Sequence, residues 1–469
     1  MKLKFLRLFL ISSFVLVGCK SKGTPEPQLE PTEPSDTFVP LEKKVNVKME
    51  KLLVGSDDLY TIEFDYSDSY FLDDARLYDK DLSLLSLGMA LSATYLTWSQ
   101  DFFRDTEFSD VLIHDLDKET TKDTLGYTFA HRTIKDHEVF AVAIRGHEYK
   151  REWANNFIIG EEGDHEGWLA RTTELYSALS SYITQYKGEK PIKLWIAGYS
   201  RAGAISDMLA SMIIRSDGIN VDPSNLYVYT FEAPASLTEE HAVDNFCIHN
   251  IVNSADIVTY IPPTQYGLHR PGRDFEIYDM NFGTYVADFD SNITVPNFVT
   301  CKPSDFGGQS ITNDVEFAQY IINDIFADKG DDTVSAHTRE LYVANYQTGL
   351  SYMIGLLFGL KTTTRTQAMS DLTANMMNAL LIISDTTGQK LSDFLKTYLD
   401  MDEIDYDEAE LLANSAVMIK AVQNLFIKLL GFYTGEYKNN LTRVLDMHYP
   451  EVTYTLLKEY HTKLDSIYH

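Results

Sequence analysis

Leu194-Trp195-Ile196-Ala197-Gly198-Tyr199-Ser200-Arg201-Ala202-Gly203-Ala204 decides the class of this chain. Ile192 to Ala197 is an apolar run of buried-strand type, and Ala202 to Ile214 has the character of a helix, so the chain turns sharply between them. A strand that passes at once into a helix is crowded at the turn. The residues two before and two after the serine must be small for the two elements to approach. Gly198 and Ala202 meet that demand, with Gly203 next. Glycine is the usual residue at the second place; alanine satisfies the packing argument but weakens the bare motif. The serine hydroxyl then projects above the strand end, with the helix N-terminus facing any negative charge that develops there. Ser200 is therefore a candidate nucleophile, weighed against a glycine-rich turn with a capping serine.

Outward from this turn, strands and helices alternate. Val45 to Val54 and Tyr60 to Phe64 read as a hairpin about Gly55-Ser56-Asp57-Asp58. Asp81 to Trp98 has helical apolar spacing behind an acidic cap. Leu125 to Thr133 and Val139 to Ile144 are strand-like, and Gly167 to Tyr186 is an amphipathic helix with Trp168, Leu175, Leu179, Tyr182 and Tyr186 near one face. Leu226 to Phe231, Ile248 to Val252 and Phe275 to Tyr278 are further strands. This order implies βαβ units and an α/β fold with a mostly parallel central sheet flanked by helices. After about residue 310 helical, Met-rich patterns dominate, notably 353–360, 369–383 and 418–430.

Further segments accompany the serine turn in a fixed order. Ala141-Val142-Ala143-Ile144-Arg145-Gly146-His147 precedes Trp153-Ala154-Asn155-Asn156-Phe157, and His165-Glu166-Gly167-Trp168 opens the long helix. After the turn come Phe231-Glu232-Ala233-Pro234 and Asn253-Ser254-Ala255-Asp256-Ile257-Val258-Thr259-Tyr260-Ile261-Pro262-Pro263. Over about residues 80 to 280 the chain resembles the class 3 (fungal-type) lipase family of α/β-hydrolases. The resemblance implies an α/β-hydrolase fold with Asp256 as the acid of a Ser-His-Asp triad. Independently, Asp256 follows a strand at the carboxyl edge of an open sheet, where such folds bind ligands. The alternative is an aspartate capping the next turn. The resemblance also implies an oxyanion hole made by the main-chain N–H groups of Arg201 and His147. The family has Ser or Thr at the latter position, whose hydroxyl can help; His147 departs from that pattern and would serve through its main-chain N–H.

Chain order requires the histidine to follow Asp256. His269 lies in a Gly-x-x-His segment similar to a structural one in the family. His337 begins His-x-x-x-x-Tyr, and His448 begins His448-Tyr449-Pro450-Glu451, where proline and glutamate suit the first turn of a helix. His448 is the expected base and His337 the alternative. With His448, residues 311–440 are a helical insertion or cap on a core of 41–310 completed by 441–469; with His337 they are an appended domain. His461 is expected at the surface of the last helix.

The remaining sequence bounds the setting. With 69 acidic against 40 basic side chains, the net charge of −29 excludes nucleic-acid partners, which need a basic footprint. Three cysteines exclude a disulfide scaffold or a multi-cysteine zinc site; whether Cys247 and Cys301 pair is open. No metal, cofactor or protein partner is expected: Asp288-x-Asp290-x-Asn292 begins like a calcium loop but lacks the glycine that should follow. Residues 1–19 hold a basic start, a short apolar run and Leu16-Val17-Gly18-Cys19, similar to the lipobox of bacterial lipoproteins, which implies lipidation at Cys19. Residues 20–40 carry five prolines and read as a tether of about 60 Å. The expectation is an extracytoplasmic serine lipase or esterase, lipid-anchored to a bacterial membrane and acting on an ester or lipid substrate. A phospholipase, acyltransferase or glycan esterase is one alternative, and a non-catalytic surface-binding lipoprotein another.

Overall fold

The computed structural model describes residues 38–117, 124–146, 156, 159–160, 162–242, 245–260, 262, 266–293 and 446–468. Its centre is a seven-stranded sheet. The strands are β3 (Ser109–His114), β4 (Tyr127–Ile134), β5 (His137–Ile144), β6 (Ile192–Tyr199), β7 (Leu226–Phe231), β9 (Ile248–Val252) and β11 (Arg273–Glu276). Their spatial order is β11-β9-β7-β6-β5-β4-β3. The pairs β5–β6, β6–β7, β7–β9 and β9–β11 are parallel, whereas β3–β4 and β4–β5 are antiparallel. Two further pairs stand apart from this sheet: the hairpin of β1 (Glu42–Lys51) and β2 (Ser56–Ser67), and the short β8 (Leu237–Thr238) with β10 (Leu268–His269).

The parallel strands are buried on both faces, which is why they read as unbroken apolar runs: every residue of β7 and β9 is buried, as is β6 from Lys193 onward. Helix α3 (Glu166–Tyr186) connects β5 to β6, and α4 (Arg201–Arg215) follows β6 towards β7. Right-handed crossovers put both on one face, where Thr172 Oγ1 of α3 meets Met208 Sδ of α4 at 3.9 Å. The other face receives α1 (Lys80–Ser92) and α2 (Leu96–Asp105). Trp195 there donates from Nε1 to Ser86 Oγ at 2.8 Å and packs against Phe71, Phe102 and Phe108. Helix α5 (Phe282–Phe289) and the C-terminal α6 (Pro450–Tyr468) complete the described helices. The result is the α/β-hydrolase fold expected from the sequence.

Four local readings differ from the structure. The single helix expected over Asp81 to Trp98 is two. Ser92 Oγ donates to the carbonyl of Met89 and Thr94 Oγ1 to that of Leu91, which ends α1 before an extended Tyr95 starts α2. Strand β3 escaped the sequence reading because it is an edge strand whose residues are alternately exposed and half-buried, leaving little apolar signal. The strand expected over Phe275 to Tyr278 starts two residues earlier, at Arg273. His461 is buried rather than at the surface, its Nε2 2.6 Å from Tyr78 Oη, because that side of α6 packs against the body. The segments 1–19, most of the tether, 311–440, His337 and Cys301 lie outside the described residues; Cys247 is buried.

Candidate active site

The turn at Ser200 is as tight as its composition demands. A Cβ on Gly198 would lie 2.3 Å from the carbonyl oxygen of Ala202, and one on Gly203 would lie 2.9 Å from Ala233 Cβ. Ser200 itself has φ 57° and ψ −127°, a region that costs a non-glycine residue about 1–3 kcal/mol. Its main-chain N–H donates to the carbonyl of Phe231 at 2.7 Å, pinning the turn to the end of β7. Ser200 is the N-cap of α4, yet its side chain makes no capping bond and points elsewhere. That disposes of the capping alternative.

It points at a histidine. Ser200 Oγ lies 2.7 Å from His448 Nε2, and His448 Nδ1 lies 2.6 Å from Asp256 Oδ2. These partners fix the tautomer: the proton sits on Nδ1, facing a carboxylate that only accepts, and Nε2 is left to accept from the serine hydroxyl. Asp256 is fully buried, and its second oxygen accepts from the main-chain N–H of Val258 at 2.9 Å. It follows β9 through Asn253, whose side-chain oxygen accepts from the N–H of Ala255 at 3.0 Å and shapes the loop. His448 sits just before Pro450, the first residue of α6. The arrangement can take a proton from the serine and stabilise the resulting imidazolium, which makes Ser200 able to attack an electrophilic carbon.

Of the oxyanion residues named from the sequence, Arg201 opens α4 directly after Ser200, so its main-chain N–H belongs to the helix N-terminus. His147 lies outside the described residues, but Gly146 before it is described. A Cβ there would sit 2.1 Å from the carbonyl oxygen of Tyr199, so the strand end after β5 is pressed against the serine turn. Arg145 is buried, donating from Nη1 to the carbonyl of Asp115 at 2.8 Å. His165 and Trp168 stack with ring centroids 3.6 Å apart, and Trp168 Nε1 donates to Asn156 Oδ1 at 3.2 Å, closing the His-x-x-Trp and Asn segments into one support. His269 is exposed on β10 and takes no part in this line.

Three side chains near the site carry no role in the sequence reading. Glu232 is fully buried, and burial together with the neighbouring Asp256 holds its carboxyl well above the usual range. Tyr199 Oη donates to the carbonyl of His448 at 2.7 Å and lies 2.8 Å from Thr453 Oγ1. Local sequence could not reveal them, because Thr453 meets Glu232 from 221 positions away.

Residues 141–266 match the model of the family described as lipase (class 3). That span holds Ser200 and Asp256 and ends before His448. A lipase from Rhizomucor miehei is 28% identical over 123 residues, covering 24% of this chain and 33% of that protein. The chain thus spans about a third of the length of the curated relative it matches. Among solved structures, the Rhizomucor miehei lipase propeptide complex is 20% identical over 42% of this chain and 68% of that one, with a TM-score of 0.31. A lipase from Rhizopus microsporus var. chinensis is 16% identical over 43% of this chain and 77% of that one, with a TM-score of 0.32.

Proposed function

We propose that this chain is a serine ester hydrolase of lipase or carboxylesterase type, cleaving acyl esters with Ser200 as nucleophile, His448 as base and Asp256 as the acid that orients it. The observation that carries the reading is the unbroken line from Ser200 Oγ through His448 to Asp256, at 2.7 and 2.6 Å, on a strained turn at a helix N-terminus. His448 takes the Ser200 proton as the oxygen attacks the ester carbonyl, and the main-chain N–H groups of Arg201 and His147 hold the oxyanion. The imidazolium then protonates the leaving alcohol. Water, deprotonated by the same histidine, releases the acid from the acyl-enzyme. The match of residues 141–266 to class 3 lipases supports an ester or lipid substrate. The Leu16-Val17-Gly18-Cys19 motif supports extracytoplasmic anchoring through acylated Cys19, and the acidic body makes lipid rather than charge the membrane attachment.

The test is hydrolysis of a panel of acyl esters of graded chain length, with phospholipid and acetylated glycan beside them. Ser200→Ala and His448→Ala are expected to lower kcat by roughly 10²–10⁴-fold or more, while His337→Ala stays near the parent. Activity surviving His448→Ala, or lost in His337→Ala, overturns the assignment of the base. Preference for phospholipid or glycan ester replaces the acylglycerol reading. Cys19→Ala is expected to move the protein from the membrane to the soluble fraction.

A further inference from the structure

Glu232 directly follows β7, whose last residue Phe231 accepts the Ser200 N–H, and has no task in the reaction above. It carries two costs at once. Its carboxyl is fully buried, and its main chain has φ 49°, the left-handed region that disfavours a residue with a Cβ. Its contacts show what could offset them. Oε2 accepts from the main-chain N–H of Asn253 at 2.8 Å, and Oε1 lies 2.9 Å from Thr453 Oγ1. Thr453 Oγ1 lies 2.8 Å from Tyr199 Oη, which donates to the carbonyl of His448 at 2.7 Å. Asn253 Nδ2 donates to the carbonyl of Met447 at 3.0 Å. Two consecutive carbonyls of the histidine loop are thus held by donors that both lead back to one carboxyl.

Counting protons assigns a direction. With an ionised carboxylate, Thr453 must donate to Oε1, and the single Tyr199 proton is left to serve two acceptors. With a neutral carboxyl, Oε1–H donates to Thr453, Thr453 donates to Tyr199, and Tyr199 donates to His448. Each hydroxyl then donates once and accepts once, and Oε2 remains the acceptor for Asn253. The charged surroundings agree. Asp256 lies beside Glu232 and favours its neutral form, Glu451 lies on the Tyr199 side, and Arg270 acts in the opposite sense.

We propose that Glu232 is kept as a neutral carboxylic acid and acts as a positioning residue, fixing the main chain that carries His448 through Thr453 and Tyr199. This rests on the reading of His448 as base, but its first test needs no activity. In the purified full-length chain, the proton shared by His448 and Asp256 gives a far-downfield ¹H NMR resonance, assigned by its loss in His448→Gln. Tyr199→Phe and Thr453→Val are expected to broaden or abolish it. Glu232→Gln, whose amide can donate to Thr453 and accept from Asn253, is expected to keep it. In ester hydrolysis the same two hydroxyl deletions are expected to lower kcat about tenfold or more with KM within about twofold. Glu232→Gln is expected to restore the kcat that Glu232→Leu loses, with the acid limb of kcat/KM unmoved.

A resonance and kcat indifferent to Tyr199→Phe and Thr453→Val overturn the proposal. So does a Glu232→Gln profile whose acid limb moves to lower pH, because that reports removal of a negative charge from beside the imidazole. If the resonance follows the variants while wild type and Ser200→Ala are equally inert towards esters, the hydrolase reading fails and the positioning role stands.

Discussion

Ser200 keeps its strained φ because three neighbours leave it no other place: Gly198 beneath it, Ala202 beyond it, and Gly146 pressed against the carbonyl of Tyr199. The last contact is the most exacting, since a Cβ at residue 146 would meet main chain at 2.1 Å and main chain cannot rotate away. Gly146→Ala is therefore expected to displace the serine turn and lower kcat about 10²-fold while the protein still folds, checked by steady-state kinetics beside a thermal melt. Wild-type kcat would contradict the proposed closeness of the two segments. At this scale the sequence was informative wherever the chemistry is local. The small residues about Ser200, and the acid at Asp256 just past a strand, could be read because each sits in a stretch that declares its own geometry. The choice between His448 and His337 could not, since His448 meets Asp256 across 192 positions and Ser200 across 248. Glu232 was visible only as a letter in a strand-end motif, and its partners come from the far end of the chain.

Among elements, α4 is the hub: it starts directly after Ser200, packs on β6 and β7, and lies against α3. It also buries Asp207 completely, with both carboxylate oxygens lacking a hydrogen-bond partner among the described residues. Burial holds that carboxyl well above its usual value, with Arg270 opposing the shift. The sign follows from linkage. An unfolded chain releases this proton near pH 4 while the folded one retains it, so stability is lost as pH rises above about 4 towards the folded value. Asp207→Asn is expected to melt above wild type at pH 8 and to approach it at pH 4, read by Tm at the two pH values. A pH-independent difference would mean that the carboxyl is ionised in the folded protein. Elements with strong periodicity or continuous apolar runs, such as α3, β7 and β9, could be placed from sequence almost to the residue. The break between α1 and α2 could not, because the apolar spacing continues across it and hydroxyl-to-carbonyl bonds end the first helix. Edge strand β3 carries too little apolar alternation to announce itself.

Among the described residues, the first hairpin and the segment ahead of α1 both meet the C-terminal helix. The β1–β2 hairpin takes a bond from α6, with Glu451 Oε1 accepting from the N–H of Leu53 at 3.0 Å, and His461 of α6 meets Tyr78 ahead of α1. His249 and His461 are both buried, and burial lowers each imidazole to about 4. Here the sign is opposite to that of Asp207. The unfolded chain takes up these protons as pH falls through about 6.5, the folded one only near 4, so stability present above pH 6.5 is lost between those values. Because buried acids and buried histidines oppose one another, the informative quantity is a difference. His461→Gln, which can keep the Tyr78 bond, is expected to gain Tm relative to wild type as pH falls from 8 to 4.5, and a constant offset would contradict it. The acidic composition was readable from sequence because it is a count of residues, whereas the docking of α6 against α1 depends on contacts across the full chain. On the proposed reading, Ser200 is an activated nucleophile, and its reactivity can be measured. The purified chain is treated with a fluorophosphonate and the adduct mapped by mass spectrometry. One adduct is expected, on Ser200, formed far more slowly in His448→Ala; no adduct, or one on another residue, overturns the assignment of Ser200 as nucleophile.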